Sequence, residues 1–395
     1  MKVIRVGVVG LGDRGLHWIR LLQQIDGYRI TALCDRLTVL HERALSQVKD
    51  SSRVSTYASY EEILEDPNVD AIALCVRCKE QGRMAAQALE AGKHVNSEVP
   101  AAHTIEDCWR IVLAAERTGL VYHLAEQTRY WGFVEAWRKL VSEGAIGRVL
   151  YCEGQYFHFY TPLRAFQDPE TGRFYSVEEA HTHPEARPTW LYYMPPIHYL
   201  PHELSPMLKV LNDRVVEVTA MSTRAPSYSY PELIHVPDLQ VALMRTEKDA
   251  ILRMATCFTQ RFVPYHHWYQ VIGTQGCLEW RKSSRELPRI WLADLQMHDY
   301  AEVDWRYERV DAPSEARGAG HGGADYYVHI AFRDAVLGRK PLEFDVYKAV
   351  ETAAPAILAA RSIAEGTKLI RVPDFRPSEE RSPGEAPKSL YWNAS

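Results

Sequence analysis

No run of about 18 apolar residues occurs in this chain, so no segment reads as a membrane-spanning helix. There is no polybasic block and no basic stripe interleaved with aromatics, and 46 Lys and Arg against 51 Asp and Glu leave a net charge of -5. Neither nucleic acid nor an anionic membrane is expected as a partner. Cysteine is sparse: seven, an odd number spread over both halves, fit reduced thiols rather than a disulfide framework. The one close pair, Cys75 and Cys78 in "ALCVRC", has no second pair at metal spacing, so strand-end thiols are the simpler reading than a zinc or redox site. The opening "MKVIRVGVVGLGDRG" shows no cleavable hydrophobic region and runs straight into a strand and a glycine turn, from which a cytoplasmic location is expected.

What is present is enough apolar content, 46% of 395 residues, for a full core, at a length that suits two domains. Over residues 1–125 short apolar strands such as "VIRVGVVG", "YRITALCD" and "DAIALCV" alternate with amphipathic helices such as "LHWIRLLQQI" and "RMAAQALEAG". Continuous apolar strands are covered on both faces, which predicts a doubly wound parallel α/β sheet of the Rossmann type. After "RYWGFVEAWRKLVSEG" the strands lengthen: "GRVLYCEGQYFHFY", "RVVEVTAMST", "LQVALMRT", "AILRMATCF" and "HWYQVIGTQGCLEW". Tight turns between several of these predict a large, mostly antiparallel, open-faced sheet in an α+β domain over 126–372. Between the first two lies a loop of about forty residues dense in Pro, His, Tyr and Arg, and loops that long in a compact domain are usually functional. Residues 373–395 read as a polar, proline-rich tail, extended along the surface or mobile.

"GLGDRG" sets Gly10, Gly12 and Gly15 in G-x-G-x-x-G order after a strand and before a helix, and the second strand ends in Asp35, twenty residues past Gly15. Gly10 permits the tight turn, Gly12 lets backbone approach a pyrophosphate, and Gly15 allows close helix packing. Asp35 would accept hydrogen bonds from the adenosine ribose and repel a 2′-phosphate, so NAD is expected rather than NADP, with Arg36 beside it as the contrary feature. Asp13 and Arg14 complete the loop and join the cofactor-contact set.

"HYLPHELSP" places His198 and His202 four residues apart. Metal ligation at that spacing needs a shared helix face, but Pro201 lacks a backbone donor and restricts Leu200. Ser205-Pro206 reads as an N-cap followed by Pro at the first helical position, opening "PMLKVLN". The pair is therefore expected in the approach to a helix, with no metal bound. An imidazole just outside a helix N-terminus feels the positive end of the dipole, which keeps it neutral and able to take a proton. A satisfied core histidine is the other reading for either residue.

"EAGKHVNSEVPAAHTIEDCWRIV" stands where one oxidoreductase family carries Glu-Lys-Pro after "GKHV". With the nucleotide fingerprint and the antiparallel second domain, the chain resembles the glucose-fructose oxidoreductase, inositol dehydrogenase and MocA family over nearly its whole length. Within it the chain is most similar to the NAD-dependent α-N-acetylgalactosaminidases, through "SEVPAA", "HELSP", "PYHHWYQVIGTQG" and "GHGGADYY" followed by "LEFDVYKAVE". Val99 occupies the position of the wider family's lysine, so chemistry depending on that lysine is excluded. The resemblance implies Glu98 and Gln127 as cofactor contacts, His202 as acid/base, and Tyr199 as a substrate or proton-relay contact. It also implies Glu126, Tyr156 and Arg187 in the site, with Tyr265 and His321 as weaker candidates. Each has an ordinary reading beside it: a surface carboxylate, a sheet aromatic, a solvated arginine, a strand-start tyrosine, a loop histidine.

The expected activity is a redox-neutral cleavage of a glycoside. NAD takes hydride from a ring carbon, C3 in this reading, the ketone acidifies the C2 hydrogen, a base expels the C1 substituent, water adds, and the hydride returns. A sugar dehydrogenase with exchangeable NAD and a silent NAD- and sugar-binding sensor are the competing readings. Dimers or tetramers are usual in the family, so a homo-oligomer acting on a small sugar or glycoside is expected.

Overall fold

In the computed structural model, residues 2–76, 78–160, 162–261, 266–379 and 381–387 are described, without the side chain of Cys78. Alternating strands and helices form the first domain: β1 (Ile4–Val9), α1 (Asp13–Leu22), β2 (Tyr28–Cys34), α2 (Val39–Leu45), β3 (Ser55–Tyr57), α3 (Tyr60–Glu65), β4 (Ala71–Leu74), α4 (Cys78–Glu90), β5 (His94–Ser97), α5 (Ile105–Thr118) and β6 (Tyr122–Leu124). All neighbouring strands run parallel in the order β3-β2-β1-β4-β5-β6. Val6, Val8, Ile72, Leu74 and Val95 are buried, as strands covered by helices on both faces require. The order reverses between β1 and β4, so ligands meet the carboxyl ends of the strands there.

The chain continues through a 3-10 turn (Gln127–Tyr130) and α6 (Gly132–Ser142) into β7 (Val149–Phe157). The long loop then carries β8 (Phe166–Gln167), β9 (Phe174–Tyr175), α7 (Val177–Ala180), β10 (Arg187–Pro188) and α8 (Trp190–Tyr193), its strands forming a small sheet of their own. Next come α9 (Pro201–Leu211), β11 (Val215–Ser222), β12 (Leu239–Thr246), β13 (Ile251–Cys257), β14 (His266–Gly273), β15 (Gly276–Glu279), β16 (Arg289–Leu292) and β17 (Ala301–Glu302). After them α10 (Ala324–Val336), α11 (Val346–Ala364) and β18 (Ile370–Arg371) complete the second domain. Its nine-stranded sheet runs β17-β16-β15-β14-β7-β13-β12-β11-β18, antiparallel except where β13 lies parallel to β7. That register sets Tyr156 of β7 between Thr256 of β13 and His267 of β14.

The helix after "HYL" differs from the sequence expectation. α9 begins at Pro201, not Pro206, so His202 sits in its first turn rather than before it. Pro201 is tolerated at the first position because that N–H has no intrahelical partner. Pro206 lies inside, and the carbonyl it leaves unclaimed, that of His202, faces Thr128 Oγ1 at 2.8 Å and accepts from Tyr269 Oη–H at 3.3 Å.

The described part of the tail returns to the first domain. Phe375 is buried against Trp109 of α5, and Arg381 pairs with the buried Glu116 at 2.7 Å. No described helix is long and apolar enough to cross a membrane.

Candidate active site

The glycine loop has the shape a dinucleotide needs. Gly10 has φ +89, and a Cβ there would lie 2.4 Å from the Cys75 carbonyl oxygen; one on Gly15 would lie 1.9 Å from that of Gly10. A Cβ on Gly12 would meet nothing within 4 Å, so this backbone stands open beside the N-terminus of α1, where no side chain caps the first amides. Asp35 is clamped at the end of β2 by the amides of Leu11 (2.8 Å) and Leu37 (2.9 Å). These features fit NAD. Asp13 and Arg36 are exposed, with Asp13 paired to Arg43. Arg14 turns inward: it bonds Glu98 and forks onto Asp325 of α10 at 2.9 and 3.0 Å. Gln127 Nε2 lies 3.5 Å from Glu98. His321 lies beside the same Asp325 at 3.1 Å, on the edge of this network.

Glu126 follows β6 and is wholly buried. Its Oε1 accepts from the Thr128 amide (3.2 Å), lies 2.8 Å from the Thr128 hydroxyl, and lies 3.0 Å from Nδ1 of His202. Burial pushes the carboxyl upward, but the His202 imidazole and the Thr128 hydrogen bonds outweigh it and hold the pKa below the ordinary value. For His202 burial pulls down and Glu126 pulls up harder, leaving the imidazole above its ordinary value. This corrects the expectation of a neutral histidine: the helix dipole is weaker than a buried carboxylate in contact. The bond at Nδ1 also fixes the tautomer and leaves Nε2 as the working nitrogen.

Tyr156 is buried, 2.8 Å from the Tyr160 hydroxyl, its ring near-parallel to His158 (3.8 Å, 8°) and to His202 (5.2 Å, 15°). Tyr199 stacks on Trp190 at 5.2 Å, with its ring 5.4 Å from His202. Glu126, Tyr156, Tyr199 and His202 are thus brought together. His198 is not: it stacks on His103 at 4.3 Å, and burial pushes its pKa to about 3, the mark of a packing residue. Facing different partners, His198 and His202 do not form a ligand pair. Arg187 is exposed and donates to the carbonyls of Pro184 and Ala186. Tyr265 lies outside the described residues.

Sequence reasoning assigned nothing to Thr128, His158, Glu203, His267 or Asp325. His158 stands two residues after Tyr156, just past the end of β7, and in extended chain that spacing puts both on one face and could have found it. Glu203 and His267 lay inside quoted segments, but their meeting depends on how α9 packs against β14, which no local pattern carries.

Residues 134–380 match the family profile described as glycosyl hydrolase 109, C-terminal domain, well over half of the chain. The chain belongs to glycosyl hydrolase family 109. Residues 4–126 match the oxidoreductase family, NAD-binding Rossmann fold, so this member carries its family's NAD-binding domain and is an NAD-dependent enzyme. Curated family 109 proteins are similar along almost its entire length: protein 2 of Phocaeicola vulgatus is 27% identical with 95% of both chains covered, and that of Saccharopolyspora erythraea is 25% identical over 97% of this chain and 85% of its own. Among solved structures, levoglucosan dehydrogenase in complex with NADH and levoglucosan superposes with a TM-score of 0.73 at 17% identity, covering 94% of this chain and 100% of that one. The apo scyllo-inositol dehydrogenase of Lactobacillus casei gives 0.69 at 16% identity, over 94% and 98%. These likenesses bear out the fold class of this family 109 chain, a parallel Rossmann sheet followed by a mostly antiparallel one.

Proposed function

We propose that this enzyme cleaves a glycosidic bond by a redox-neutral cycle of oxidation, elimination, hydration and reduction on a sugar. The observation that carries the reading is the buried Glu126–His202 pair beside Tyr156 and Tyr199, where a Rossmann sheet delivers its ligands. The glycine loop, Asp35 and the Glu98 region would hold NAD, which when bound would supply reversible hydride transfer at a ring carbon, C3 in this reading. Glu126 keeps Nδ1 of His202 occupied, so Nε2 takes and returns protons at the substrate. Beside a C3 ketone the C2 proton is acidic enough for such a base, and loss of the C1 substituent follows. Tyr199 and Tyr156 orient the ring and carry hydroxyl protons. Val99, buried and apolar in place of a lysine, leaves the proton work to these groups.

The test is a panel of nitrophenyl α- and β-glycosides with NAD-loaded protein, following aglycone release and NADH absorbance together. Release without net NADH, reduced at least about 100-fold in His202→Ala, is expected. NADH build-up with the glycoside intact would leave a dehydrogenase with exchangeable NAD instead.

A further inference from the structure

The reaction just described leaves a second buried carboxyl and its imidazole unused. Glu203 follows His202 along α9, is wholly buried, and has its Oε1 2.6 Å from Nδ1 of His267 on β14. His267 is the ladder partner of Tyr156, and its ring stands edge-on to that tyrosine at 5.2 Å and to Trp131 at 5.2 Å. Its Nε2 lies 3.1 Å from Nε2 of His158, whose ring stacks on Tyr156 at 3.8 Å. One imidazole therefore touches both Tyr156 and the ring stacked on it, and Glu203 grips that imidazole from the helix that bears His202.

The packing beneath is close. A Cβ on Gly154 of β7 would lie 3.0 Å from the Glu203 Cβ and 2.8 Å from Met254 Sδ, so Glu203 rests on that strand two residues before Tyr156. Tyr269, two residues past His267 on β14, donates to the His202 carbonyl at 3.3 Å. The first turn of α9 is thus tied to β14 at two points. Further along, α9 buries Leu204, Met207 and Leu211, whose apolar contacts carry no direction. A buried carboxyl is costly, and two apolar side chains of similar size would fill the same space at least as well. What the pair adds is a directional bond.

We propose that Glu203 is a positioning residue: through His267 it fixes the Tyr156 ring against the His202 imidazole and so sets the geometry of the proton-transfer site. The inference rests on the acid/base reading given above. Tyr156 and His202 belong to different elements, β7 and α9, and their rings lie near-parallel at 5.2 Å and 15°. The short path between them runs from His202 to its chain neighbour Glu203, across one hydrogen bond to His267, and across one ladder pairing to Tyr156. Proton transfer falls steeply when donor and acceptor are misplaced, so a small slide of α9 over the sheet lowers the rate while every reacting group is still present.

The test uses NAD-loaded wild type, Glu203→Gln and the double variant Glu203→Leu/His267→Phe on the nitrophenyl glycoside that the wild type cleaves fastest. Replacing both members by apolar side chains strands no charge, so the double variant is expected to keep NAD and to melt no more than about 4 °C below wild type. Its kcat is expected to fall at least about tenfold. Glu203→Gln keeps an oxygen that accepts from Nδ1–H of His267 and is expected to recover most of that loss. A second readout needs no turnover. In protein isotope-labelled at histidine Cε1, the His202 resonance carries the ring-current shift of Tyr156, calibrated with Tyr156→Leu. The double variant is expected to move it most of the way to the Tyr156→Leu position, and Glu203→Gln to leave it near wild type. An unmoved His202 resonance in the double variant would overturn the role, as would a kcat within about twofold of wild type or equal losses in Glu203→Gln and the double variant. Should the double variant not fold, Glu203→Asp, which withdraws the carboxylate by one methylene, takes its place under the same criteria. If the wild type frees no aglycone the glycosidase reading fails, and the resonance alone then decides the positioning role.

Discussion

Nδ1 of His202 lies 3.0 Å from Oε1 of Glu126, joining a helix of the second domain to the strand end of the first through a wholly buried carboxylate. The pair is coupled to folding as well as to chemistry. The His202 pKa is raised above 6.5, so its share of stability is full below that value and fades as pH rises through the raised one. The Glu126 pKa is lowered from 4.5, so its share is full above that value and fades as pH falls through the lowered one. The combined contribution is greatest between pH 4.5 and 6.5. Urea titrations of wild type and Glu126→Gln across pH 4–9 are expected to differ by about 3 kcal/mol in that window and by less toward either end. A difference independent of pH would mean the two groups are not an ion pair.

The glycine loop separates binding from folding. Gly12→Ala adds a Cβ to open space, so its melting temperature is expected within about 4 °C of wild type while NAD binds about tenfold or more weakly. Gly15→Ala drives a Cβ against the Gly10 carbonyl and is expected to cost about 1–3 kcal/mol before any nucleotide is added. Tryptophan fluorescence titration with NAD and thermal melts of the same samples distinguish the two. Equal NAD affinity in Gly12→Ala and wild type would remove the pyrophosphate from this backbone.

Asp325 is nearly fully buried and takes both terminal nitrogens of Arg14 while lying 3.0 Å from His17. Asp325→Asn keeps the shape and removes the charge, leaving Arg14 only Glu98. The expected loss is about 3 kcal/mol in denaturant titration without NAD. An unaltered midpoint would show that the contact adds nothing to the interdomain fit.

Arg381→Met leaves Glu116 buried without its guanidinium, and a loss of about 3 kcal/mol is expected. Adding Glu116→Gln to it should recover part of that loss, because the cost lies in the stranded charge. A double variant no better than the single one would assign the loss to packing against Trp109, over whose ring Arg381 lies.

Both domains and the nucleotide loop were legible because their signals are local: apolar runs, glycine spacing and an acid at a strand end. Glu126 and His202 were legible as candidates, but their pairing depends on residues 76 positions apart, and it reversed the expected charge of the histidine. The start of α9 was misplaced because two prolines compete for the role of helix opener, and only the preceding 3-10 turn (Pro196–Tyr199) decides for Pro201. Arg187 sat in a motif and yet turns Nη1 to its own loop, since a guanidinium bonds whichever carbonyls the backbone folds toward it.

Pro206 has one more consequence. A residue with an N–H at this position would close the helical ring onto the His202 carbonyl and compete with Thr128 and Tyr269 for it. The missing hydrogen thus leaves a socket on the turn that bears the imidazole, and side chains from the Rossmann edge and from β14 plug into it. An imino acid, by offering nothing, aligns three separate stretches of chain on one backbone oxygen.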